Sequence, residues 1–115
     1  MTEYNQINTL EEIVFVGGTV YTIDFTVYDD TGAPVDLTTM TCEWAMSYYG
    51  QEGSAVYSAD FSSTILVNVF TVTIPSSITE SISGKFVHQP IITDFSGDEF
   101  RPAQGVITII PAITI

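Results

Sequence analysis

Between Thr19 and Tyr28 the chain changes character at every residue. Tyr21, Ile23, Phe25 and Val27 fall on one side of an extended backbone, and Thr22, Asp24 and Thr26 fall on the other. Period two is the signature of a β-strand with one buried face. The pattern returns from Thr41 to Tyr49, where Cys42, Trp44, Met46 and Tyr48 oppose Glu43, Ala45 and Ser47. It returns again from Leu66 to Ile74, with Phe70, Val72 and Ile74 opposite Thr71 and Thr73. Plainer extended runs occupy 13–16, 55–61, 85–93 and 106–110. Seven or eight short strands at roughly ten-residue spacing, with turn residues between them, predict an all-β antiparallel sandwich or barrel. A parallel α/β fold needs helical crossovers, and the sequence offers none.

The punctuation agrees. Gly17-Gly18 marks a break or bulge. Asp29-Asp30-Thr31-Gly32 is a turn, because Asp bonds nearby backbone and Gly accepts positive φ. Pro34 to Thr38 reads as an extended connector, and 50–53 as a loop. Pro75 stops a strand, and 76–83 is the one helical turn on offer, its centre near residues 77–83. Ser77 and Glu80 fit a capping box, and Gly84 fits a C-cap. Pro90, lacking an N–H, implies an edge or a bulge in its strand. Residues 1–12 are polar without a period and read as an N-terminal arm; 13–115 read as a single domain.

Charge removes whole classes of partner. Two Lys and Arg face fourteen Asp and Glu, a formal net charge of −12. Such a chain lacks the cations whose counterion release drives nucleic-acid binding. Anionic membrane surfaces are disfavoured on the same ground. No apolar run reaches the eighteen residues of a spanning helix, and the first residues carry no secretory signal pattern. Cys42 is the single cysteine, so no disulfide within the chain is available.

Few side chains suggest chemistry. His88 shares parity with Phe86 and so points inward, without a nucleophile or orienting acid in any motif. Cys42 has the parity of Trp44 and Met46 and reads as a buried structural thiol. Asp29-Asp30 and Asp98-Glu99 are neighbours that face opposite ways, which suits turns better than paired acid and base. Two binding readings stay open. Loop acids Asp29, Asp30, Asp36, Asp94, Asp98 and Glu99 are calcium-type ligands, though without the D-x-D-x-D-G spacing. Trp44, Tyr48, Tyr49 and Tyr57 offer a sugar-stacking surface. No catalytic, cofactor or metal residues are assigned.

The final residues raise a different question. No charged side chain follows Arg101. On the last strand Val106, Thr108 and Ile110 take one face and Ile107 and Ile109 the other, and Ile113 and Ile115 extend the apolar run. A strand of a sandwich meets the core with one face only. The expectation is a protein interface made by Val106, Ile107, Ile109, Ile110, Ile113 and Ile115.

The order of these pieces resembles a known family. VGGTVYTIDFTVYDDTGAPVDLTTMTCEWAM is similar to the first half of short phage virion and tail-associated proteins. VTIPSSITESISGKFVHQPIITDFSGDEFRPAQGVITIIPAIT is similar to their second half. The N-terminal domains of some baseplate upper proteins share the pattern. The resemblance implies an immunoglobulin-like β-sandwich and a non-enzymatic structural role in a virion assembled in the host cytoplasm. Its implied partners are other virion proteins and copies of itself, with no nucleic acid and no membrane. The alternative is a carbohydrate-binding module of a phage receptor-binding apparatus.

Overall fold

The computed structural model describes residues 10–113. They form an immunoglobulin-like β-sandwich. Its strands are β1 (Ile13–Val16), β2 (Tyr21–Thr26), β3 (Thr41–Tyr48), β4 (Ala55–Asp60), β5 (Val69–Ile74), β6 (Gly84–Thr93), β7 (Glu99–Phe100) and β8 (Gly105–Ile110). One sheet runs β1-β8-β6-β3-β4, with β7 added at the far end of β6; the other is the pair β2-β5. The alternating runs became strands because each has one row to bury. Phe25, Trp44, Met46, Phe70, Val72, Ile74, Phe86, Ile92, Ile107 and Ile109 meet between the sheets. Tyr21 has the same parity but sits at the rim, half-buried, with its ring stacked 4.5 Å from Phe15.

Phe25 and Phe70 are direct cross-strand partners, their rings stacked at 5.2 Å, so one pair sets register and fills core together. The connector 34–38 does more than its sequence suggests. Val27 carbonyl accepts from Val35 N–H, and Val67 carbonyl accepts from Leu37 N–H. Those bonds place Val35 and Leu37 in the core at one end of the sandwich.

Four features depart from the sequence expectations. First, β1 pairs with β8 in parallel, Ile13 beside Ile107 through Val16 beside Ile110, within an otherwise antiparallel sheet. Second, Pro90 lies in a central strand rather than on an edge or in a bulge. It stands opposite Trp44 on the β3 side. Tyr49 N–H donates to Lys85 carbonyl (3.0 Å), so odd residues of β6 bond β3 and even ones turn their backbone the other way. There the ladder to β8 ends at His88 and the ladder to β7 begins at Ile92. The missing N–H of Pro90 falls in that gap and costs no ladder bond.

Third, the helix α1 is only Ser76–Thr79, with Pro75 at its N-cap and no side-chain capping bond. The Ser77–Glu80 box does not form, because Ser77 is already inside the helix. Proline extends readily before a helix, and its carbonyl accepts from Ile78 and Thr79 N–H instead. Fourth, Glu80 is the C-cap of α1, so Gly84 is not. Gly84 does hold a positive φ of 108°, but at the first residue of β6. Gly32 has φ 84° as the Asp29 turn requires.

Thr79 ties α1 to the β1–β2 loop. Its hydroxyl donates to Thr19 carbonyl (2.9 Å) and accepts from Gly18 N–H (3.0 Å), and the side chain is buried. Gly17 packs so close that a Cβ there would stand 2.6 Å from Thr79 carbonyl oxygen.

Candidate functional site: an exposed apolar margin beside an acidic surface

The most unusual surface lies where β1 and β8 meet. On β8, Ile107 and Ile109 point into the core and are buried. They are therefore core residues and not the interface residues the sequence suggested, because this is the face that meets β2 and β5. The opposite row carries half-buried Val106 and Thr108 and exposed Ile110. Ile113 beyond it is 93% exposed. Ile115 lies outside the described residues. Sequence reasoning missed the neighbour that widens this row. β1 turns Phe15 inward and Val14 and Val16 outward, and parallel register sets Val16 beside Ile110. The signal was present in the alternation of Ile-Val-Phe-Val, but only pairing with β8 makes the rows contiguous.

Acid stands at both ends of β1. Glu11 and Glu12 are exposed immediately before β1. Glu80 lines one cleft together with Gly17, Ile82 and Pro111, at the other end of β1. Of the two basic residues, Lys85 stands opposite Thr108 on the β6 side of this row, and Arg101 lies away from it. Lys85 Nζ lies 5.0 Å from the centre of the Tyr49 ring, and Arg101 pairs with Glu99.

The candidate chemical groups are placed differently from any reactive centre. His88 is buried, and its Nδ1 accepts from Trp44 Nε1–H at 3.0 Å. That bond leaves the ring proton on Nε2, which has no hydrogen-bond partner among the described residues. Burial pulls the His88 pKa from 6.5 down to about 4. A Cβ on Gly105 would stand 2.8 Å from that Nε2, so glycine lets the ring fit. Cys42 is buried, and desolvation, aided by the charge of Asp60, pushes its thiol up to about 12.

The loop acids spend their oxygens locally. Asp29 Oδ1 accepts from Thr31 N–H, Thr31 Oγ1 and Ala33 N–H. Asp94 Oδ1 accepts in the same pattern from Ser96 N–H, Ser96 Oγ and Asp98 N–H. Asp36 and Asp60 repeat the shorter version with Thr38 and Ser62. Side-chain and backbone donors hold all four carboxyls below the usual carboxylate range. Among the described residues no three His, Cys, Asp or Glu groups gather as a metal site.

The aromatics divide as well. Trp44 is in the core, edge-on to Tyr57 at 6.2 Å, and so drops out of any stacking surface. Tyr48 lies against Phe86 at 4.8 Å and is partly exposed; Tyr49 is exposed beside Lys85. No helix among the described residues is long and apolar enough to cross a membrane.

No protein-family profile and no curated protein matches the sequence. Among solved structures, CopC from Methylosinus trichosporium OB3b is similar at 11% identity over 90% of this chain and 88% of that one, with a TM-score of 0.53. The fibronectin(III)-like modules of Clostridium thermocellum CbhA match at 11% identity over 98% of this chain and all of theirs, with a TM-score of 0.49. The PKD domain of human KIAA0319 matches at 9% identity over 96% and 89%, with a TM-score of 0.43. At such identities likeness speaks for the fold alone, and the CopC match agrees with the two-sheet sandwich described above.

Proposed function

We propose that the chain is a non-enzymatic structural component of a bacteriophage virion, a tail, baseplate, fibre-attachment or capsid-associated module that works through protein–protein contacts. The observation that carries the contact reading is the apolar margin of Val14, Val16, Ile110 and Ile113 on a chain of net charge −12. Contiguous apolar surface beside polar rims marks contact sites more often than solvent-facing surface. The virion itself comes from the sequence resemblance, whose two stretches include Val16, Ile110 and Ile113 of this margin. His88 and Cys42 support the non-enzymatic side of the reading. One is a neutral core histidine bonded to Trp44, and the other is a thiol held protonated by burial.

The test is incorporation. The chain is followed in gradient-purified particles by quantitative mass spectrometry, as wild type, as Ile110→Asp, and truncated after Ile110. The wild type is expected at a fixed ratio to the major virion proteins. Both altered chains should stay folded in solution yet be depleted from particles. Absence of the wild type from washed particles overturns the virion reading. Normal incorporation of folded Ile110→Asp removes the margin from it.

A further inference from the structure

Among the described residues the outer margin of the large sheet is unfinished. β1 ends the strand order, with β8 on one side and no strand of the described residues on the other. Gly17 N–H donates to Ile110 carbonyl across the β1–β8 pair at 2.8 Å. In a parallel pair alternate residues turn both backbone groups to the same neighbour. Ile13 and Phe15 therefore bond β8, while Val14 and Val16 turn N–H and C=O to the open side. The two residues are also exposed, at 54% and 46%. Two residues thus present two donors, two acceptors and two apolar side chains together. Edges are commonly blunted by lysine, proline or a bulge, and Ile-Val-Phe-Val contains none of these.

Charge selects the occupant. Glu11 and Glu12 stand before β1, and Glu80 stands beside Gly17 at its end. A second copy would add another net charge of −12 along a contact only four residues long. We infer that the open side of β1 accepts an extended segment of another protein as an added strand, apolar at alternate positions and carrying Lys or Arg at its flanks. This deepens the protein-contact reading and rests on it, but it does not need the virion assignment.

The probe is a displayed library of random peptides about a dozen residues long, enough to span the four-residue edge and both acidic flanks. It is panned on the folded chain and on Val14→Pro. Proline at Val14 deletes only an outward N–H, which an edge strand tolerates. The expected enrichment is for alternating apolar peptides with basic flanks. These should bind Val14→Pro about tenfold more weakly or worse, and weaken further with salt. Val14→Thr, which keeps the N–H, should retain binding within a few-fold. Should Val14→Pro fail to fold, the double change Glu11→Lys and Glu12→Lys takes its place, with the same loss expected for basic peptides.

Lack of enrichment overturns the inference. So does enrichment of acidic or helical peptides, or of peptides indifferent to both variants. Dimerisation of the chain by ultracentrifugation, abolished by Val14→Pro, would give the edge to a second copy and also overturn it. Peptide binding by a chain that is absent from particles would keep this inference and sink the virion reading. Incorporation without peptide binding would do the reverse.

Discussion

His88 should make the protein acid-sensitive above the range in which Asp29, Asp36, Asp60 and Asp94 lose their charge. The ring is buried against Trp44 and Phe25, with ring centres 5.7 and 6.2 Å away. Its pKa drops from 6.5 to about 4 because burial disfavours the imidazolium. Protonation would also put a proton on Nδ1, where Trp44 Nε1–H already donates. Between pH 6.5 and about 4 the unfolded chain binds the proton and the folded chain does not. Stability therefore rises with pH across that window and is lost as pH falls through it. At 1.36 kcal/mol per unit the full effect is about 3 kcal/mol, of which about 2 to 2.5 is spent between pH 7 and 4.5. Asp29, Asp36, Asp60 and Asp94 have pKa values lowered from 3.8, so their contribution is lost only at lower pH.

The assay is urea unfolding followed by the fluorescence of Trp44, the single tryptophan, at several pH values from 7 to 4.5. His88→Phe is the control. It keeps an aromatic ring but cannot titrate, and it strands the Trp44 N–H at a pH-independent cost of about 1–3 kcal/mol. Relief of charge repulsion on acidification is common to both proteins and cancels. The wild type should begin the more stable and lose about 2 kcal/mol of that lead by pH 4.5. A stability gap that stays constant from pH 7 to 4.5 would refute the argument.

Gly105→Ala should destabilise by about 1–3 kcal/mol in the same denaturation assay, because its methyl would meet Leu10 Cβ at 2.7 Å and His88 Nε2 at 2.8 Å. Val67→Asn should stabilise by roughly 1 kcal/mol, because Val67 is a β-branched residue held at φ 57° on an exposed loop. Cys42 should resist a maleimide or disulfide reagent at pH 8 in the folded chain and react only after urea, consistent with a thiol pushed up to about 12. Trp44→Ala should cost about 3–5 kcal/mol, as expected for a fully buried indole.

How much of this was readable beforehand depends on which interactions stay within one strand. Tyr21 to Val27, Cys42 to Tyr48 and Phe70 to Ile74 declared themselves, because alternation is a local property and the core imposes it. Asp29 and Gly32 declared the turn they make, since acceptor, donors and positive φ lie within five residues. The Asp94 turn is built the same way, and the two-residue β7 behind it was too short to show any period. What escaped was set by partners distant in the chain. Pro90 looked like an edge marker because its strand gave no hint that the neighbours on one side change from β8 to β7. Leu37 looked like connector because nothing local says that Val67 will bond it. Trp44 and His88 shared an inward parity, but their bond depends on β3–β6 register, which sets Met46 opposite His88. The apolar margin was half legible for the same reason. Ile110 and Ile113 could be read from their own segment, and Val14 and Val16 joined them only through a pairing about ninety residues long.

That pairing also dictates the order in which the sheet can be completed. β8 lies between β1 and β6, so the earliest described strand has its sole sheet neighbour in the latest. As the chain emerges from a ribosome, β2 with β5 and β3 with β4 and β6 can all meet while β1 still waits. During that interval β1 lacks the one strand neighbour it has among the described residues, and β6 lacks its partner from Gly84 to His88. Closing so long a loop is entropically slow, and strands bare during the wait are the ones that pair with the wrong neighbour. The acidic residues before β1 and the proline within β6 sit beside these temporary edges, where charge and a missing donor discourage early mispairing.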